Sequence, residues 1–261
     1  MDNKYIVPAL AQGLGILSLF GGNDRSFTAP EIAKRLSLPR TTVFRLLQTL
    51  QSLDYVRCEQ DKRHFSLGPA LLNRGFEYLA SLDMVEVAQP ILQGLRDSTG
   101  LSSHMAIREG REVIYVARFP ARSTIASSVT IGTRFPVHAT IMGRMTILDM
   151  TDKELAELFG DQPFQRFTAQ TPMSLKALKT LLAEDRERGY AVSQAFFESG
   201  VSAIAAPVRD GAGRIVAAIN VTAVNAHIEE QAMHGALKEA VLSAATEISR
   251  WLCRAREVNG S

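Results

Sequence analysis

Between Thr28 and Leu50 the chain spells two short helices joined by a connection too brief for anything but a sharp corner. Thr28 can cap the first of them. Glu31 stands three residues later as the other half of a capping box, and Pro30 falls in the first turn, where its missing N–H costs nothing. The apolar side of that helix is Ile32, Ala33 and Leu36. Ser37 and Leu38 make the corner, and Pro39 opens a helix whose apolar side is Val43, Leu46, Leu47 and Leu50. At about 100° per residue, Arg40, Thr41, Phe44, Arg45 and Gln48 project from its opposite side. Val7, Leu10, Leu14 and Leu17 give a preceding helix one apolar face, and Gly21 and Gly22 end it. The pattern predicts a helix-turn-helix.

Tyr55 to Cys58 and His64 to Leu67 read as short strands around the polar turn Glu59 to Arg63, a β-wing closed by Gly68 and Pro69. Leu71, Leu72, Phe76, Leu79 and Leu82 then form a helical stripe, expected as a linker helix. This stripe exceeds the needs of a small winged domain, so self-association through the N-terminal unit and this linker helix is expected.

A recognition helix must bury one side while its N-terminal half offers donors to base edges and phosphates, which Arg40, Thr41, Thr42 and Arg45 can supply. Arg45 is the expected base contact; Thr28 and Gln48 complete the DNA-facing set. Lys62 and Arg63 at the wing tip suit phosphate. Charge alone does not carry this expectation. The net charge is +2, and residues 1–77 hold ten Lys or Arg and seven Asp or Glu, so 10 − 7 gives only +3. What matters is where the charges sit.

After residue 83 the rhythm becomes α+β. A helix runs to Gly100, with strands near Ser102 to Arg108, Glu112 to Arg118 and Thr124 to Ile131. Helices are expected over Ala139 to Met150, Asp152 to Phe159 and Leu175 to Arg188, the last two stopping at Gly160 and Gly189. Val201 to Arg209 and Arg214 to Thr222 read as strands about the turn 210–213, and a terminal helix covers Glu229 to Arg254. The expected domains are 1–69 (winged helix-turn-helix), 70–83 (linker helix) and 84–256 (effector binding).

The stretches "ALAQGLGILSLF", "TAPEIAKRLSLPRTTVFRLLQTLQSLDYV" and "FSLGPALL" resemble the IclR-type bacterial regulators, a likeness that covers essentially the whole chain. "GTRFPVHATIMGRMTIL", residues 132–148, looks most like the subgroup controlling aromatic-acid catabolism. The resemblance implies a PAS- or GAF-like effector domain holding a small carboxylate over a curved sheet. It also implies a palindromic double-stranded operator, dimers that pair again as tetramers, and RNA polymerase as a possible partner.

Physical checks agree with that pocket. A turn centred on 210–213 pairs Ala203 with Asn220, which puts both, with Thr222, on one sheet face. A helix starting at Ala139 presents open N–H groups, making the amides of Ile141 and Met142 the expected carboxylate partners. Arg134 and His138 precede that helix, where structural roles are at least as well suited to them as ligand contact. Ser193 matches a position that touches ligand in some relatives. Where many members carry an Asp-x-Glu arrangement, this chain has Gln194, Ala195 and Phe196, followed by Phe197, which favours a ring-bearing or apolar acid.

Other classes fit less well. No nucleophile elbow, metal-spaced His/Glu pair or phosphate loop is present, so catalytic residues, metal and cofactor are expected to be absent despite His104 and His138. A ligand-free architectural DNA binder would not need so long a second domain. Ile6 to Phe20 is interrupted by Gln12, with Lys4 the only nearby positive charge and no small-x-small cleavage site after it. A cytoplasmic chain with no membrane contact is therefore expected. Cys58 and Cys253 read as two reduced thiols.

Overall fold

The computed structural model describes residues 5–21, 24–61, 63–122, 129–194, 200–224 and 230–259. It divides into two compact units, Met1–Ser81 and Leu82–Ser261.

In the first unit, α1 (Pro8–Leu17), α2 (Ala29–Leu36) and α3 (Arg40–Ser52) enclose Ile16, Ile32, Ala33, Val43 and Leu47. The backbone N–H and the hydroxyl of Thr28 both donate to the Glu31 carboxylate, at 2.7 and 2.8 Å, and pin the start of α2. The corner to α3 is made by Ser37 at φ 54°, a left-handed conformation. A three-stranded antiparallel sheet, β1 (Phe27–Thr28), β2 (Val56–Cys58) and β3 (His64–Leu67), has the order β1-β3-β2. Strand β1 is absent from the sequence reading, because two residues carry no periodicity and their partner lies across both helices. Gly68 closes the wing: a Cβ there would sit 2.1 Å from the Asp54 carbonyl oxygen, so only glycine fits. Helix α4 (Ala70–Ala80) follows, with none of its residues buried.

The apolar stripe of α1 faces the other way from what a monomer core would require. Val7, Leu10 and Leu14 are exposed, while Gly13 and Ile16 are buried and Leu17 is half-buried.

The second unit is one six-stranded antiparallel sheet, order β6-β5-β4-β9-β8-β7, between two helical layers. Its elements are α5 (Asp83–Thr99), β4 (Ser102–Glu109), β5 (Glu112–Phe119), β6 (Arg134–Pro136), α6 (Ile141–Thr146), α7 (Asp152–Phe159), α8 (Leu175–Arg188), β7 (Ala191–Gln194), β8 (Val201–Arg209), β9 (Ile215–Val224), α9 (Glu230–His234) and α10 (Ala236–Asn259). On one side, α5 packs on β4 and β5, and α10 on β8 and β9. On the other, α6 spans β9, β8, β7 and β4. There Ile141, Met142 and Met145 meet a floor of Ala106, Ala203, Ala205 and Ala218.

Beyond the unforeseen strand β7 and the division of the expected terminal helix Glu229 to Arg254 into α9 and α10, three details differ from the sequence reading. Helix α6 is six residues long, because Thr140 caps it and the chain turns again at Ile147. The strand beside β5 is Arg134–Pro136. Of the expected Thr124 to Ile131, residues 124–128 lie outside the described residues and 129–131 are not in a strand. Finally, Ala203 pairs with Thr222, not Asn220, and Ala205 pairs with Asn220. The loop runs from Arg209 to Ile215 with an irregularity at Val208/Arg209, which moves the register by two residues. A shift of two preserves the faces, so Ala203, Asn220 and Thr222 still share one side.

Candidate functional site

Helix α3 presents a polar face in the first unit. Arg40, Thr41, Arg45 and Gln48 are exposed on it, Thr42 is half-buried, and the side chains of Arg40 and Arg45 have no bond or ion pair with any described residue. Unpaired arginines on one helix face need break no existing ion pair to meet an anionic ligand. Between them Phe44 is 56% exposed, and with Ala29, Pro30, Arg40, Thr41 and Arg45 it lines a concavity of about 510 Å³. Thr28, half-buried, has its hydroxyl hydrogen on Glu31, so it serves chiefly as a cap. At the wing, Asp61 accepts from the amides of Arg63 and His64 and pairs with the His64 ring. These bonds hold the Asp61 carboxyl well below its usual range and raise the His64 imidazole. Arg63 is exposed; Lys62 lies outside the described residues.

In the second unit a polar patch interrupts the alanine floor. Ser102, His104, Ser193, Asn220 and Thr222 are all buried. Strand β9 joins them: Asn220 lies opposite His104 and Thr222 opposite Ser102 on β4, while Ala203 lies opposite Thr222 on β8. His104 Nδ1 is 3.0 Å from Asn220 Oδ1, and Asn220 Nδ2 donates to the Thr222 hydroxyl at 3.1 Å. Arg118 stands opposite His104 on β5 and adds a positive charge. Burial, assisted by that charge, depresses the His104 imidazole to about 4. The ring meets Tyr115 edge-on at 5.6 Å, and Tyr115 meets Phe135 the same way.

The head of α6 sits above this floor. The Thr140 hydroxyl accepts from the amide of Gly143 at 3.0 Å, and its carbonyl from that of Arg144. No described residue accepts from the amides of Ile141 and Met142. A Cβ on Gly143 would lie 2.1 Å from the Val137 carbonyl oxygen, so glycine lets the helix head press against the preceding chain. Beneath the helix Arg144, 2% exposed, is held by Asp185 at 2.6 Å and the Val192 carbonyl at 3.2 Å.

The structure thus gathers Ile141, Met142, Ser193, Ala203, Asn220 and Thr222 around one sheet face. Phe196 and Phe197 lie outside the described residues. Arg134 pairs with Glu112 at 2.8 Å, and His138 bonds the Gln165 carbonyl at 3.0 Å between Phe164 and Phe167, which makes both structural. Sequence reasoning missed the buried Arg144–Asp185 pair and set His104 aside as an unlikely catalyst. Neither had a local signal, since their partners lie 41 and 116 residues away. Among the described residues no cluster could hold a metal ion, and no helix is long and apolar enough to cross a membrane.

Known proteins match both units. The family "IclR helix-turn-helix domain" matches residues 9–60, and "Bacterial transcriptional regulator IclR C-terminal" matches residues 76–250. The HTH-type transcriptional regulator XynR of Escherichia coli K12 is 30% identical over 247 residues, covering 95% of this chain and 98% of that protein. The Pca regulon regulatory protein of Pseudomonas putida is 33% identical over 215 residues, covering 82% and 73%. A solved IclR transcriptional regulator from Alicyclobacillus acidocaldarius superposes with a TM-score of 0.82 at 27% identity, over 95% of this chain and 99% of the other. The chain is a transcriptional regulator with an N-terminal helix-turn-helix and a C-terminal effector domain, and it belongs to the IclR family.

Proposed function

We propose that this regulator is a cytoplasmic sensor of a small, ring-bearing carboxylic acid, and that the acid adjusts its grip on a palindromic operator of a catabolic operon. In this reading residues 1–69 bind DNA, 70–83 link, and 84–256 sense. The observation that carries it is the buried polar patch under α6. The sheet face is floored by alanine, the amides of Ile141 and Met142 are open to a carboxylate, and Asn220, Thr222 and Ser193 set buried polar side chains on that same face. The likeness of residues 132–148 to the aromatic-acid subgroup and the match to a regulator of the Pca regulon support a ring-bearing acid.

On DNA, Arg45 reads a base edge and Arg40, Thr41, Thr42, Gln48, Lys62 and Arg63 hold the backbone. Replacing Arg45 with Ala should cost about 1–3 kcal/mol on the operator and little on random DNA. Fluorescence anisotropy on both duplexes, with and without benzoate-type acids, checks the reading. An Arg45→Ala protein that keeps full discrimination would refute the assignment, and operator affinity unmoved by any acid would refute the effector class.

A further inference from the structure

Asn220 has the position and chemistry of a ligand contact, yet both ends of its amide are engaged within the protein. Its nitrogen donates to Thr222, which turns its oxygen toward His104. An amide oxygen only accepts, so the hydrogen in the 3.0 Å contact belongs to His104 Nδ1. Burial and Arg118 keep the ring neutral, and a neutral ring protonated at Nδ1 carries a bare lone pair on Nε2. That nitrogen has no hydrogen-bond partner among the described residues, although His104 is only 1% exposed. A buried acceptor left without a donor loses the solvation it had in water with nothing in return, so such a group calls for an explanation.

The direction of the nitrogen follows from the register. His104 shares a face of β4 with Ala106, which packs against the α6 residues Ile141 and Met142. Nε2 is the ring nitrogen farther from the backbone. It therefore faces the layer between sheet and α6 rather than the strand.

We infer that His104 selects the effector: its Nε2 accepts a hydrogen bond from a hydroxyl group on the bound acid, and Asn220 is a positioning residue that fixes the tautomer. The inference rests on the sensor reading above and narrows its ligand class to hydroxylated acids. A carboxylate oxygen meeting this lone pair would be repelled, and that leaves the charged end of the ligand to the Ile141 and Met142 amides assigned to it above. The hydroxyl is thus placed at β4 and the carboxylate at the head of α6.

The test is calorimetry on the full chain with benzoate, 3- and 4-hydroxybenzoate, phenol and toluene, alongside nitrogen NMR of the His104 ring. At least one hydroxylated probe should bind about tenfold tighter than its unhydroxylated parent, and the Nε2 resonance should shift with Nδ1 still protonated. His104→Asn keeps a donor for Asn220 but deletes the Nε2 acceptor. It should erase the preference between the hydroxylated probe and its parent. Asn220→Ala should weaken the preference and free the tautomer. Phenol preferred over toluene through His104, with no benzoate bound, would uphold the hydroxyl site and discard the carboxylic-acid reading. Equal binding of hydroxylated and parent probes, a preference that survives in His104→Asn, or uptake of one proton by His104 on binding benzoate would each overturn the inference.

Discussion

His104 illustrates how a residue acquires meaning only from its surroundings. Its folded imidazole titrates near 4, whereas a histidine in an unfolded chain titrates near 6.5. The folded state therefore refuses a proton that the unfolded state accepts, so stability is complete above about pH 6.5 and drains away as the pH falls toward 4. The gap amounts to about 3 kcal/mol for the second unit. His138, also lowered by burial, adds in the same direction. Urea unfolding at pH 7 and pH 4.5 should show the loss in the native protein and a shallower slope in His104→Asn; identical slopes would mean the ring does not titrate in this window. None of this could be read from the sequence, where His104 is one of five histidines. Arg45 was legible because the helical period alone places it opposite Val43 and Leu47.

Elements were legible in proportion to how local their causes are. Helices α7 and α8 begin and end where expected, because Thr151 with Glu154 and Ser174 cap their starts and Gly160 and Gly189 stop them. Helix α6 is buried on every side, so no exposed polar face marks its length. The β8–β9 register moved because the irregularity at Val208/Arg209 depends on the two strands meeting. The same dependence on packing makes Gly143 a sensitive position. Gly143→Ala should cost about 1–3 kcal/mol or more, since the added carbon meets backbone that has no rotamer to change. Denaturation with the effector domain's fluorescence or dichroism as readout checks this, and an unchanged midpoint would show that the helix head can back away from Val137.

At the scale of the molecule, the largest surprise is the outward apolar surface of the first unit. Tyr5, Ile6, Val7, Leu10 and Leu14 around α1, and Leu72, Phe76 and Tyr78 on α4, are all exposed in the single chain. Such surfaces mark association. Two-fold pairing would present two α3 helices to a palindrome, and that is the proposed role. Light scattering at micromolar concentration should show a dimer or larger, and Leu10→Glu with Phe76→Glu should yield a monomer that binds a half-site and a full operator almost equally. A native chain that stays monomeric with and without DNA would remove the basis for pairing. The sequence revealed both stripes readily and led to an expectation of self-association through α4, but it did not show that the α1 stripe faced outward, because periodicity identifies a face without naming what covers it.

The central strand of the second unit has a mechanical corollary. Asn220 and Thr222 point from β9 into the polar patch, while Ile219 and Val221, their immediate neighbours, lie buried on the reverse side, where α10 rests. A sheet one strand thick has two surfaces but a single set of atoms, so it behaves as a diaphragm. Any molecule that bows β9 toward α6 necessarily draws the same peptide units away from α10. A ligand that bowed the strand in this way would therefore alter its packing on α10 directly, with no chain of intermediate side chains required.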